Sequence, residues 1–476
     1  MTNKKYLSYD FWSVIILAFY AIMQILRWSL FPQHFDIYYH LLTAWGFIQA
    51  GGYPNWDFWQ YAPVGRPHIY PPLFHIILAL FMKAGVDKIV LAKTLSIMVP
   101  LTFLITLWSF LRKKFSSCLA FFSLIAISSS LSFYASLATL MPSTIALTFG
   151  ILAIWQFMNG KTFFSLLFLT FCFYTHIGVS YYMTLTFIIY AFFDKELRRS
   201  TFIIVAGALI LSVPMIIRQL SGIDLFSFPA IKANNYCEFK TIDYILGAIG
   251  FAILLRSKGK GRLFLALFIA SFVYLPYLSR FFSTEGYLPV ALLAAVALYG
   301  LCESFGKNRS AKYAVISITA FMLIFSPTIA TGTLTVGGPV LRMILFDSAP
   351  IGMLFPKAKM RQISSSIWFE KSYAFASKLI KENSSPDDII YCTENIIGLC
   401  LAVASDRATA NYLLPEVYSK DRADPYADAK IIIMLKYHDP KSVKEIVDKY
   451  GLVLLGKNGM LDIYMNPKAS AKMTIK

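Results

Sequence analysis

What most limits the folds open to this chain is a series of apolar runs of roughly 17–25 residues, broken by short polar loops. A helix needs about 20 apolar residues to cross ~30 Å of hydrocarbon, so the pattern predicts a polytopic α-helical membrane protein. The runs fall near 11–31, 89–111, 115–135, 143–159, 162–177, 179–193, 201–217, 241–255, 263–279, 288–304 and 313–331. Composition agrees: 57% of residues are hydrophobic and 15% charged, against about 25% charged in ordinary soluble domains. The first run lacks a small-residue cleavage site and is expected to stay as the first helix.

The formal net charge of +18 does not point to nucleic acid, because Lys and Arg collect in alternate short loops. These are Lys4 and Lys5, "RKK" at 112–114, Lys161, "KELRR" at 195–199, "RSKGKGR" at 256–262 and "GKNRSAK" at 306–312. With about eleven spans all of them lie on one side, which the positive-inside rule makes cytoplasmic, together with the N-terminus. This requires "PPLFHIILALFMKAG" (71–85) not to cross, and its short apolar core suits a helix lying at the outer face. An odd number of spans leaves the C-terminal part outside. The expected division is a transmembrane domain over 1–335, with a first external loop at 32–88, and an extracytoplasmic α/β domain over 336–476 that begins with a connector at 336–363.

In the C-terminal part, "SIWFEKSYAFASKLIKE" has helical spacing, "PDDIIYC" reads as a turn feeding a strand, and "PKSVKEIVDKYGLVLLG" as a helix ending near Gly451 before a strand. Cys118, Cys172 and Cys302 fall inside predicted helices as small buried groups. Cys392 and Cys400 are expected either as thiols or as a disulfide.

Chemistry concentrates in the first external loop, "DIYYHLLTAWGFIQAGGYPNWDFWQYAPVGRPHIYPPLFH" (36–75), which carries three of the six histidines. Asp36 suits the start of the following helix and could also present a carboxylate at the membrane interface. His40 lies four residues on, on the same face, so the two could share a proton or a divalent metal. Tyr39 and its aromatic neighbours serve either as an interfacial belt or as stacking surfaces for sugar rings. Asp57, Arg66 and His68 add polar groups without a spacing that fixes their roles. In later external loops Glu238, Asp224 and Arg280 stand out; a guanidinium there can clamp a phosphate or snorkel to the interface. His176 sits at another outer turn as an interfacial histidine.

"FDIYYHLL" followed by "GGYPNWDFWQYAPVGRPHIYPPLFHIILAL" resembles the first external loop of the GT-C membrane glycosyltransferases, especially the archaeal and bacterial oligosaccharyltransferase catalytic subunits. The matching residues are Asp36, Tyr38, Tyr39, His40, Gly52, Pro54, Asp57, Pro63, Gly65, Pro72 and Leu73. The resemblance implies that Asp36 helps hold Mn²⁺ or Mg²⁺, or acts as general base. Arg280 would contact the lipid-linked phosphate, and Glu238 would be the acid of the external loop and a second metal ligand. Two family motifs are missing: "SFYASLATLMPSTIAL" (132–147) carries no Asp or Glu, and there is no Trp-Trp-Asp-Tyr-Gly.

The expected activity is transfer of a sugar from a polyprenyl- or dolichyl-phosphate donor to an extracytoplasmic protein, glycan or lipid acceptor, in a prokaryotic plasma membrane. Asp36, His40 and Asp57 are the catalytic candidates; Arg280, Arg66, His68, Tyr39 and Glu238 are the substrate-binding ones. A non-catalytic scaffold with the same fold, or a transporter or lipid flippase, are the competing readings.

Overall fold

A computed structural model of the chain describes residues 8–28, 32, 36–130, 132–137, 140–222, 237–305, 309–334, 338–344, 365–413, 424–436 and 439–473. Asp224 and most of the 336–363 connector lie outside the described residues. The chain divides into two units. One comprises Met1–Trp28, Leu95–Ile217 and Pro229–Lys357; the other Ser29–Thr94, Arg218–Phe228 and Ala358–Lys476.

The first unit is mainly apolar helix. Tyr9–Leu26, Lys88–Lys114, Lys195–Ser221 and Leu278–Ser304 are, among the described residues, long and apolar enough to cross a membrane. Shorter apolar helices include Ser117–Ser128, Pro142–Met158, Thr162–Thr175 and Ile177–Phe193. Tyr287–Ser304 is buried almost all round, as its uniformly apolar surface requires. Helix Thr241–Arg256 crosses it closely at Gly250, where an added Cβ would come within 1.9 Å of the Leu293 carbonyl oxygen.

Three expected spans end differently from their apolar runs. The 313–331 run stays helical only through Phe325. Pro327 cannot continue the helix, and the Thr- and Ile-rich stretch after it forms strand β4 (Thr328–Leu334). It pairs antiparallel with β3 (Cys237–Lys240) on one side and β5 (Gly338–Ile344) on the other. The 263–279 run breaks around Pro276 into helix Arg262–Ala270, a 3₁₀ turn Ser271–Tyr274 and helix Leu278–Ser283. In the 115–135 run the helix ends at Ser128, where "SSS" supplies side chains that compete for backbone hydrogen bonds, and a π-turn Phe133–Leu137 follows.

The second unit joins the early loop to an α/β sheet. Helix Asp36–Gln49 is followed by the two-residue strands β1 (Trp56–Asp57) and β2 (Arg66–Pro67), then by helix Leu73–Lys83. Eleven residues make that last helix about 16 Å long, short of the hydrocarbon thickness. Downstream come helix Ser365–Asn383, β6 (Ile389–Cys392), helix Asn395–Ser405, β7 (Ala408–Thr409), β8 (Ile431–Leu435), helix Pro440–Tyr450, β9 (Val453–Lys457) and β10 (Leu461–Met465).

The sheet order is β7-β6-β8-β10-β9. β6 runs parallel to β7 and β8, and the remaining pairs are antiparallel. β8 is buried along its whole length, which explains its unbroken "IIIML". Gly451 ends helix Pro440–Tyr450 in the left-handed conformation at φ 67°. Cys392 and Cys400 are separate buried thiols, so no disulfide joins them.

The outer edge of β7 is covered by the early loop: Thr409 N–H donates to the Trp59 carbonyl (3.0 Å) and Ala62 N–H to the Thr409 carbonyl (3.1 Å). That backbone pairing caps an edge strand otherwise open to unwanted partners.

Candidate functional site

Each unit has its own concentration of chemistry. In the second unit Asp36 is the first residue of its helix and is half-buried. There the positive end of the helix dipole favours a carboxylate. One turn on, His40 is buried with its Nδ1 2.9 Å from Nε2 of His75, so one ring donates and the other accepts. Tyr39 is buried beside them, its ring in edge contact with Tyr70 and His75. The helix face "YYH" thus forms part of a packed aromatic layer.

Asp57 and Arg66 face each other across the β1–β2 pair, Arg66 Nε donating to Asp57 Oδ2 at 3.2 Å. Gln60 adds two bonds to the same carboxylate, from its backbone N–H (3.2 Å) and its Nε2 (3.1 Å). Arg66 Nη2 also donates to the Leu413 carbonyl, and Gln60 Oε1 accepts from Leu413 N–H at 2.9 Å. Tyr61 stacks on Tyr412 with ring centroids 4.5 Å apart. These contacts fasten the loop to the sheet.

The turn between β1 and β2 works only because Gly65 (φ 70°) tolerates a left-handed backbone with Trp56 and the Asp57 carbonyl close by. His68 lies beneath, against Phe47, Tyr53 and Trp59. Burial, reinforced by His75 and the cationic Arg66 and Arg218, holds its pKa well below the ordinary histidine value. It is a neutral ring at physiological pH.

In the first unit Arg280, on the short helix Leu278–Ser283, points Nη1 at Glu285 Oε1, 2.8 Å away. Glu285 is buried, and the Thr284 hydroxyl also donates to it. Arg280 packs over the Tyr277 ring. His176 caps helix Ile177–Phe193 by accepting the Val179 N–H at Nδ1 (3.2 Å), and its Nε2 lies 3.3 Å from Arg280 Nη1. The ring's two contacts ask for opposite tautomers, since the guanidinium only donates and Nε2 would have to accept from it. The guanidinium supplies N–H donors of the kind an oxyanion accepts.

Glu238 lies buried in β3. Its backbone N–H donates to the Ser283 hydroxyl (2.6 Å), and its carbonyl accepts from Ser132 Oγ (3.1 Å). The acid-free stretch at 132–147 is thus brought against Glu238 by a serine. Nearby, Lys240 is fully buried, its Nζ on the Ser129 carbonyl (3.0 Å), and the Tyr287 hydroxyl bridges Asp243 (2.8 Å) and the Ala126 carbonyl (2.9 Å).

Glu285, Lys240 and Asp243 did not stand out in the sequence. The available signal was an ionisable residue at the edge of an apolar run, which is expensive there and tends to be paired or functional. As for a metal, no group of three His, Cys, Asp or Glu side chains able to hold one occurs among the described residues.

No family model matches the chain, and no curated protein sequence does. Solved structures do. ArnT from Cupriavidus metallidurans, crystallised bound to undecaprenyl phosphate, aligns with a TM-score of 0.58 at 12% identity, covering 96% of this chain and 99% of that one. The Archaeoglobus fulgidus oligosaccharyltransferase in its apo form aligns at 0.57 and 11% identity, covering 94% of this chain and 69% of that one. AglB from the same organism, in complex with an inhibitory peptide and a dolichol-phosphate, gives 0.56 and 11%, with coverages of 96% and 74%. The chain has the GT-C fold.

Proposed function

We propose that this protein is a membrane glycosyltransferase of GT-C type. In this reading it moves a sugar from a polyprenyl- or dolichyl-phosphate donor to an extracytoplasmic acceptor. It resides in a prokaryotic plasma membrane through about eleven spans, with its N-terminus in the cytoplasm and its C-terminal α/β domain, from about residue 336, outside. The observation that carries the reading is the shared fold along nearly the whole chain with proteins captured on undecaprenyl phosphate and dolichol-phosphate.

Local chemistry supports separate roles. Asp36 is assigned the general base: it takes the acceptor hydroxyl proton as the acceptor oxygen bonds to the anomeric carbon and the bond to the donor phosphate breaks. Arg280, with His176 beside it, offsets the charge growing on the departing phosphate. Asp57, Arg66, His68, Tyr39 and His40 act as positioning residues that hold the Asp36 helix and its loop, and Glu238 orders β3 against Ser132 and Ser283. Mn²⁺ or Mg²⁺ held by Asp36, with Glu238 as second ligand, would supply Lewis-acid chemistry; among the described residues no group of three His, Cys, Asp or Glu side chains able to hold one occurs.

Purified protein given labelled polyprenyl-phosphate sugar and a mixture of acceptors tests the reading. Asp36→Asn should lower transfer by about 10²–10⁴ with folding intact; near-normal transfer in that variant removes the assignment. A scaffold that kept the fold without the chemistry is the second reading, favoured by the absence of Asp or Glu from 132–147. Wild-type protein inactive on every donor tried would select it.

A further inference from the structure

Within the second unit a cleft of about 730 Å³ opens beside the turn joining helix Leu73–Lys83 to helix Lys88–Lys114, walled by helices Ser365–Asn383 and Asn395–Ser405. The size is that of small-molecule sites, roughly 300–1,000 Å³. Its charged lining is balanced: Lys88, Lys378 and Lys381 stand with Asp87, Glu382 and Asp406. Ser377 and Tyr373 add a hydroxyl and an aromatic surface.

Asp406 organises the cleft. It occupies the left-handed C-cap of helix Asn395–Ser405 (φ 59°), a position that glycine fills more easily. Its carboxylate pairs with Lys88 and reaches Lys381 at 3.5 Å. Lys88 also donates to the Val403 carbonyl at 3.0 Å. The charges are ordered by one another yet reachable, Asp406 being 41% and Lys381 48% exposed.

We propose that this cleft is a saccharide-binding subsite, one that takes a short neutral oligosaccharide. Three carboxylates among three ammonium groups repel a phosphate as much as they attract it, and the charged rim suits no purely apolar ligand. Sugar hydroxyls both donate and accept, so they satisfy carboxylates and ammonium groups together, and groups already held by ion pairs lose little freedom on binding. The inference deepens the glycosyltransferase reading by giving the substrate sugar or glycan acceptor a place to dock, and it rests on that reading for its biological meaning only.

Saturation-transfer NMR on the detergent-solubilised full chain tests it, with chitotriose and maltotriose as probes and inorganic phosphate as comparison. At least one trisaccharide should bind. Its apparent Kd should weaken at least fivefold in Asp406→Gly, which keeps the backbone conformation, and in Lys381→Ala, whose side chain is exposed enough to leave folding intact. Lys444→Ala, exposed on helix Pro440–Tyr450 and outside the cleft lining, should bind it like wild type. Neither trisaccharide binding, binding indifferent to both cleft variants, or phosphate binding in place of sugar would overturn the proposal. Because the readout is binding, a protein that binds sugar at the cleft yet transfers none overturns the glycosyltransferase reading alone. One that transfers sugar without binding it here overturns the cleft alone.

Discussion

Two arginine–carboxylate pairs, one in each unit, differ in how far the arginine is buried, and under the proposed function that difference separates fastening from chemistry. Arg66 and Asp57 are 3% and 1% exposed. Gln60, the Leu413 carbonyl and the Tyr61 ring surround them. Arg280 is 34% exposed while its partner Glu285 is 1% exposed. A fully enclosed ion pair gains little net stability over a well-packed apolar pair, but it punishes the loss of one member and so fixes a register. A guanidinium held on one side by a buried carboxylate and still partly exposed has the geometry that the proposed phosphate role requires. Residue types alone do not distinguish the two; the burial of the arginine does.

The sharpest way to break this comparison is to remove one arginine. Arg66→Met strands the Asp57 carboxylate among rings and should cost about 3–5 kcal/mol of stability, read as a lower unfolding midpoint in detergent. Replacing both partners, as Asp57→Leu with Arg66→Met, should recover most of that loss. If the single variant is as stable as wild type, the fastening role is wrong.

A smaller effect is expected at the exposed pair. Arg280→Lys keeps the charge but loses the planar fork, so donor KM should rise about tenfold, near 1.4 kcal/mol, with the unfolding midpoint almost unmoved. A large fall in stability with unchanged donor KM would put Arg280 in the same class as Arg66.

The smallest effect concerns pH. His68 is held neutral in the fold by burial and nearby positive charge, whereas the unfolded chain protonates near pH 6.5. Below that pH the unfolded state binds the extra proton, so stability present above it is lost as pH falls, by at most about 1.4 kcal/mol per pH unit. His68→Gln should flatten that slope between pH 6.5 and 5. A slope unchanged in the variant would mean the ring titrates normally.

Much of the architecture was legible because apolar length and loop charge are local signals. Helices stand in most of the expected runs, though three of those runs break off early, and the 71–85 segment holds an eleven-residue helix. The C-terminal helix–strand pattern could be followed to the residue at Gly451. What escaped is non-local. The run after Pro327 becomes a strand because Glu238–Lys240, some ninety positions earlier, offers it an edge.

The same holds for the candidate sites. Asp57 and Arg66 were visible as polar loop residues, but their pairing depends on a turn at Gly65 and on Leu413, far downstream. His40 was paired with Asp36 by helical spacing, whereas its ring meets His75 from another helix. Glu285 was hidden by sitting next to an apolar run, where only the approach of Arg280 and His176 gives it meaning.

The central claim is that the Arg280–His176–Glu285 group receives the phosphate of a lipid-linked donor while the Asp57–Arg66 pair only holds the fold. Native mass spectrometry of detergent-solubilised protein titrated with undecaprenyl phosphate tests it most directly. The account predicts that wild type retains the lipid, that Arg280→Lys and His176→Gln weaken retention about tenfold or more, near 1.4 kcal/mol, and that the Asp57→Leu, Arg66→Met double variant retains it as wild type does. Equal retention by wild type and Arg280→Lys, or loss of lipid in the double variant alone, would contradict the account.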